Sequence, residues 1–417
     1  MKQSVAILDF GTSKITVLIG ERGVNNSICI DGIGVCEYAG FSGGEWFAPD
    51  KLSASIVQAV TSAESSARQK INKLYIGVPA DFLMCKVNDV TMSVNKKRRI
   101  TDGDVENLHS QGNIFGDDPE WTVINIQPIY YTLDDNRKLI APAGMTSSKI
   151  GGSISYILAK NSFIETVDRA VTSCGIEETE YVSASLAEIL FLFDDYRRDN
   201  CVMLADIGAL ETTLTIARGD GICRQYYFPW GGDRITYALE DRLEIPHTTA
   251  ELLKRKLILS LDPDFSLPNE ENDVEDDDGK KSAEQQKAEN IVIKREYSVE
   301  VNNETYAYPV ADTNEIVRNE LERLARYIYK ALKGCDYDYP DITPLSVTGG
   351  GINHIRGACE YLSDCLNREV EPIKPALPMY ERPQLSSALG LMDMVLSSEV
   401  DSGVGLINKF RRWLAKR

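Results

Sequence analysis

Three short stretches of this sequence carry the residue types that hold phosphate groups. Asp9-Phe10-Gly11-Thr12-Ser13-Lys14 follows an apolar run, Ser4 to Leu8, and leads into a second run, Ile15 to Ile19. Asp206-Ile207-Gly208 follows Cys201 to Ala205 and precedes Thr213 to Ala217 in the same way. Thr348-Gly349-Gly350-Gly351 closes a third run, Leu345-Ser346-Val347. Glycine lets a backbone approach an anion closely, and turn N–H groups with a Ser or Thr hydroxyl can donate to phosphate oxygens. Lys14 adds a point charge. Asp9 and Asp206, each at the end of its strand, would face a cleft and could hold Mg²⁺ through water.

The elements that must position these residues follow from the pattern around them. An apolar run, a tight turn and a second β-rich run read as strand, turn, strand. Two such hairpins in two halves of the chain predict a duplicated α/β fold with a cleft between the copies. The glycine triplet precedes a helical pattern, Ile352 to Asn367, and a strand, a glycine turn and a helix N-terminus make a site for an anion or for a nucleoside packed closely on backbone. Any one of these turns alone is an ordinary strand connection. Three together point to a phosphate-bearing ligand.

Composition narrows the classes further. The chain has 417 residues, 45 Lys plus Arg against 63 Asp plus Glu, and a net charge of −18. Such a charge repels polyphosphate backbones, so nucleic acid is not an expected partner. The nine cysteines include no Cys-x-x-Cys pair, and His109, His247 and His354 lie far apart, which argues against zinc and against a disulfide framework. The N-terminus meets Asp9 too early for a signal peptide. The most apolar longer run, Tyr181 to Phe193, carries Glu188 in its middle, and no stretch approaches the roughly 20 apolar residues of a membrane span.

With the phosphate turns in place, the chain resembles the actin, sugar-kinase and heat-shock-chaperone superfamily of ATPases. Within it the sequence is similar to the FtsA family of bacterial cell-division proteins. The resemblance rests on Asp9 to Lys14, Ile100 to Leu108, Ala170 to Gly175, Gly231 to Thr236, Ala250 to Lys254 and Thr348 to Gly351, in family order and spacing. It implies a two-lobed, actin-like (ribonuclease H-like, duplicated) α/β fold with an inserted subdomain particular to FtsA. The expected division is a first lobe at 1–81 and 163–198, with 375–396 packing back on it, an insert at 82–162 and a second lobe at 199–374. It also implies ATP and Mg as cofactors. Asp9, Gly11, Thr12, Ser13 and Lys14 would lie at the phosphates, with Asp206 and Gly208 opposite. Glu251, Lys254, Gly349, Gly350 and Gly351 would lie at the adenosine. Glu188 is the candidate to position a catalytic water.

The second turn departs from the family pattern, usually Asp-Ile-Gly-Gly-Gly-Thr, and reads Asp206-Ile207-Gly208-Ala209-Leu210-Glu211. Each lost glycine adds a Cβ that crowds a phosphate. Glu211 adds a negative charge. At an effective dielectric near 20, two unit charges about 4 Å apart repel by about 4 kcal/mol, roughly a thousandfold in affinity. Ala238 stands where the family often has an acid. These changes count against ATP binding and more strongly against hydrolysis, so at most a weak ATPase is expected.

The last residues, 404–417, place Leu406, Ile407, Phe410, Trp413 and Leu414 within an arc of roughly 120° on a helix. Lys409, Arg411, Arg412 and Lys416 fill the rest, the pattern of a helix lying in an anionic membrane interface. Residues 397–403 read as a short linker. Residues 264–289 form an acidic, polar insertion in the second lobe that reads as a solvated loop.

The expected function is an adaptor. The tail would hold the chain on the inner face of the cytoplasmic membrane at the division site, and the second lobe would capture the C-terminal peptide of FtsZ. Self-association into filaments would multiply these contacts. A small-molecule kinase of the superfamily would need a substrate-side acid base, and no residue offers itself. A pilus-assembly relative or a pseudo-ATPase scaffold is the other reading. A chaperone would need a peptide-binding β-domain after the second lobe, which the sequence lacks.

Overall fold

The computed structural model describes residues 4–24, 27–116, 118–259 and 296–399. The chain opens with an antiparallel hairpin, β1 (Val5–Phe10) and β2 (Lys14–Arg22), extended by β3 (Ile28–Glu37). Helix α1 (Pro49–Ala67) has Pro49 in its first turn, where a missing N–H costs nothing. It buries Leu52, Ile56, Ala59, Val60 and Ala63 at helical spacing. Strand β4 (Lys73–Val78) then runs parallel to β1.

The insert follows at once, as β5 (Leu83–Arg99), α2 (Asp102–Gly112), β6 (Trp121–Thr132) and β7 (Thr146–Lys160). Its sheet has the order β5-β7-β6, with the short strand Lys138–Leu139 at the outer edge. Thr101 and Asp104 form a reciprocal cap at the start of α2, and Arg98 grips the Asp104 carboxylate at 2.7 and 2.8 Å. This insert also touches the second half of the chain. The Ser155 hydroxyl donates to the Ile222 carbonyl at 2.7 Å, and Ile129 joins the second lobe's core.

Helix α3 (Asn161–Thr172) and β8 (Glu178–Ser183) return the chain to the first sheet, which has the order β8-β4-β1-β2-β3. Helices α4 (Ala184–Leu192) and α5 (Asp195–Asn200) lead out of it. The second lobe repeats the plan with β9 (Val202–Ile207), β10 (Thr212–Arg218) and β11 (Gly221–Phe228). It continues through α6 (Asp233–Leu243) and α7 (His247–Lys254). A hairpin, β12 (Glu296–Val301) and β13 (Glu304–Pro309), precedes the long α8 (Val310–Lys333). Then come β14 (Leu345–Thr348), α9 (Ala358–Leu366) and β15 (Val370–Pro372), giving the sheet order β11-β10-β9-β14-β15.

The two hairpins match in register as well as in plan. Asp9 pairs with Thr16 in the first, and Asp206 pairs with Thr213 in the second. Helix α10 (Ser386–Glu399) finally crosses back to the first lobe, where Ala388, Leu391, Met392 and Val395 enter the core around β1 and α4. Gly390 lets it approach α4 closely, since a Cβ there would lie 2.7 Å from the Ala187 carbonyl oxygen.

The structure departs from the sequence reading at two boundaries. Residues 397–399, assigned to the linker, belong to α10. Ser397 and Ser398 are buried, Arg22 donates to the Ser397 hydroxyl at 2.5 Å, and Ser398 donates to the Val395 carbonyl. The helical pattern from Ile352 also begins later, at Ala358. Residues 352–357 are held as turns by Asn353, whose amide donates to Gly349 O, and by Leu259 N–H, which donates to Arg356 O. The acidic insertion 264–289 and the tail 404–417 lie outside the described residues. Among the described residues no helix is long and apolar enough to cross a membrane.

Candidate nucleotide site

The two hairpin turns and the glycine triplet meet in one cavity of about 330 Å³ between the lobes. Asp9, Gly11, Thr12, Ser13 and Lys14 line it from β1–β2, Glu188 from α4, and Asp206 and Gly208 from β9. Glu251 and Lys254 reach it from α7, and Gly349, Gly350 and Gly351 from the turn after β14. The sequence reading had missed Asp81, Gln384 and Ser387, which line it too. No local pattern marks these three; the crossing of α10 and the end of β4 bring them in.

The turns are built alike. Gly11 N–H donates to Lys14 O at 3.0 Å, and Gly208 N–H donates to Glu211 O at 2.8 Å. The strand pairs that close them are Phe10–Ile15 and Ile207–Thr212, so Glu211 stands where Lys14 stands in the first copy. Across the cleft the turns touch, with Leu210 N–H donating to the Thr12 hydroxyl at 3.1 Å. Gly349 has φ +86°, and a Cβ there would lie 2.3 Å from Asp206 Oδ1, so only glycine lets this turn pass the carboxylate. On the first turn the Tyr38 hydroxyl donates to Gly11 O at 2.8 Å.

Three carboxyls meet at the centre, Asp9 and Glu188 buried and Asp206 half-buried. Burial pushes Asp9 up to about 6, against the Ser387 hydrogen bond at 2.7 Å and the charge of Lys14. Burial and the charge of Asp9 push Asp206 up to about 7. Burial, then Asp206, then Asp9 raise Glu188 well above the usual carboxylate range. Each acid resists the ionisation of the others, a strain that a bound cation would relieve. Among the described residues no three His, Cys, Asp or Glu side chains converge as a closed ligand set.

Glu211 corrects the charge argument made from sequence. Its carboxyl is buried and turned to the first lobe, where it accepts from Gly43 N–H at 3.2 Å and sits against Asp81. Burial and Asp81 push it up to about 8, which favours the neutral carboxyl and weakens the repulsion argued from a full charge. Ala209 still lines the cavity and crowds it, whereas the Leu210 side chain turns toward Gly40 and is not part of the lining.

Lys254 also differs from its expected part. It is buried, and its ammonium donates to Gly232 O at 3.2 Å, Thr236 Oγ1 at 2.8 Å and Glu251 Oε2 at 2.6 Å. A lysine has three N–H donors, and these contacts use all three. Lys254 is therefore a strut that orients Glu251, and Glu251 keeps acceptor capacity toward the cavity.

The profile for cell division protein FtsA matches residues 203–390, and that for the SHS2 domain inserted in FtsA matches residues 83–158. The chain belongs to the FtsA family. FtsA of Escherichia coli K12 is 23% identical over 254 residues, 61% of this chain and 60% of that protein. The match therefore spans under two thirds of the E. coli relative's length. FtsA of Pseudomonas aeruginosa is 21% identical over 407 residues, 96% of this chain and 87% of that protein. Among solved structures, the PilM–PilN type IV pilus biogenesis complex aligns with a TM-score of 0.59 at 14% identity, covering 95% of this chain and 99% of that one. MreB5 of Spiroplasma citri bound to AMPPNP aligns at 0.52 and 10% identity, covering 97% and 100%. The fold is actin-like, and the SHS2 match falls on the β5–β7 insert.

The donor set suits the cofactors this FtsA fold implies. Asp9 and Asp206 offer hard oxygens, and the crowded carboxyls present an uncompensated acidic centre. That suits Mg²⁺ held through its own water shell, because Mg²⁺ keeps several waters.

Proposed function

We propose that this chain is an actin-like division adaptor that binds Mg-ATP between its lobes, self-assembles, and tethers FtsZ to the inner face of the cytoplasmic membrane. The observation that carries the reading is the cavity, where two matched turns and a glycine triplet from separate lobes converge on one acidic centre. Lys14 and the first turn would hold the phosphates, and Glu251 and the 349–351 turn would hold the nucleoside. Asp9 and Asp206 would carry the metal side through water. Bound Mg-nucleotide would neutralise the central carboxyls and draw the lobes together, a hinge closure set by ligand contacts. Glu188 could orient a water, yet the crowded second turn keeps hydrolysis weak at most.

The second lobe offers a surface for the FtsZ tail. Arg234, Arg323, Arg326 and Lys330 line a groove beside Tyr327, with the Trp230 indole N–H buried at its floor and lacking a hydrogen-bond partner. On a chain of net charge −18 this basic groove stands apart, and it suits an acidic peptide. The basic amphipathic residues Leu406, Ile407, Phe410, Arg411, Arg412, Trp413 and Leu414 would supply the membrane contact.

A calorimetric titration of Mg-ATP into the full chain tests the nucleotide reading. Asp9→Ala is expected to weaken binding at least tenfold. Equal binding by both chains would place the nucleotide elsewhere. No binding by either would leave a pseudo-ATPase scaffold.

A further inference from the structure

Glu211 gives the second turn the opposite charge to the first. The matched register puts it in the place of Lys14, so the second turn presents a carboxyl where the first presents an ammonium. That carboxyl is committed to the opposite lobe, accepting from Gly43 N–H at 3.2 Å and lying against Asp81. Its neighbour Leu210 is committed as well, through the 3.1 Å hydrogen bond to the Thr12 hydroxyl. Gly208 N–H is spent on Glu211 O within the turn.

These contacts bear on how long a phosphate chain the cleft can take. A phosphate lying on the first turn meets Ser13 and Lys14 without disturbing the second. A further phosphate reaching between the turns would have to break the Leu210–Thr12 bond and the Gly43–Glu211 bond. It would then find Glu211, which lines the cavity, where a glycine turn would offer bare N–H groups. A carboxyl is an acceptor, or a single donor when protonated, and cannot replace that row of donors.

We propose that Glu211, with the Leu210–Thr12 contact it accompanies, sets the phosphate-chain length of the site, so that the closed cleft takes a nucleoside diphosphate in preference to a triphosphate. The proposal rests on the nucleotide reading above and adds to it the identity of the favoured ligand. Glu211 is a specificity-determining residue here, acting on the terminal phosphate and leaving the nucleoside contacts untouched.

The test is a pair of calorimetric titrations of the full chain, with Mg-ADP and with Mg-ATP, repeated on Glu211→Gly. The expected result is at least tenfold tighter binding of Mg-ADP by the native chain. In Glu211→Gly the Mg-ATP affinity rises at least tenfold while Mg-ADP stays within about threefold. Equal affinity for the two nucleotides in the native chain overturns the proposal and leaves the nucleotide reading standing; this comparison needs no variant. A preference for Mg-ADP that Glu211→Gly leaves unchanged overturns the role of Glu211. Failure of the native chain to bind either nucleotide overturns both readings.

Discussion

Removing residues 403–417 is expected to abolish co-sedimentation of the chain with anionic vesicles. The expectation rests on four of the tail's five basic residues, Lys409, Arg411, Arg412 and Lys416, and on the apolar set around Trp413. Near an anionic surface each Lys or Arg contributes about 1 kcal/mol, so four of them contribute about 4 kcal/mol, close to a thousandfold in partitioning. Burial of Phe410, Trp413 and Leu414 adds to this. Trp413→Glu should weaken binding at least tenfold, because it places a charge on the apolar face and loses the largest ring there. Neutral vesicles should bind the intact chain far less than anionic ones. A truncated chain that still co-sediments would move the membrane contact to the globular body.

Reversing charge in the second-lobe groove gives the other large effect. Arg326→Glu combined with Lys330→Glu is expected to weaken binding of an FtsZ C-terminal peptide about a hundredfold. Both residues are exposed on α8 and line the groove. Long-range charge complementarity sets encounter as well as hold, so the native affinity should also fall as salt rises. The thermal midpoint should move little, because neither side chain is in the core. Fluorescence anisotropy of a labelled peptide reads the affinity, and an unchanged value would exclude this groove as the docking surface.

Much of the site was legible because its chemistry is local. Asp9 and Asp206 each end an apolar run and open a glycine turn, and that signature survives in sequence because the hairpin itself requires it. The glycine triplet was legible for the same reason, since Gly349 needs a positive φ beside Asp206. What the sequence could not supply was direction and partnership. Glu211 counted as a charge facing phosphate, but its carboxyl turns to Gly43, and burial and Asp81 raise it toward the neutral form. Lys254 counted as an adenosine contact, but Gly232, Thr236 and Glu251 take its donors.

Boundaries failed where composition and tertiary bonding disagree. Ser397 and Ser398 look like linker residues, yet their hydroxyls are satisfied by Arg22 and by the Val395 carbonyl, so the helix can bury them. Residues 352–357 carry a helical spacing of apolar side chains. Their backbone is drawn instead into a bridge with Ile258 and into the Asn353–Gly349 bond, and Gly357 at φ +86° caps the shorter helix. Ser387 and Asp81 could not be found from sequence at all. Each is defined by what faces it, Asp9 for the one and Gly44 and Glu211 for the other.

The measurement that tests the adaptor most directly is recruitment of fluorescent FtsZ to anionic vesicles in the presence of this chain and Mg-nucleotide. FtsZ should appear on vesicles with the intact chain. It should remain in solution when residues 403–417 are removed or when Arg326 and Lys330 are reversed. FtsZ left in solution while the intact chain itself coats the vesicles would contradict the account, because membrane contact and partner capture would then not belong to one molecule.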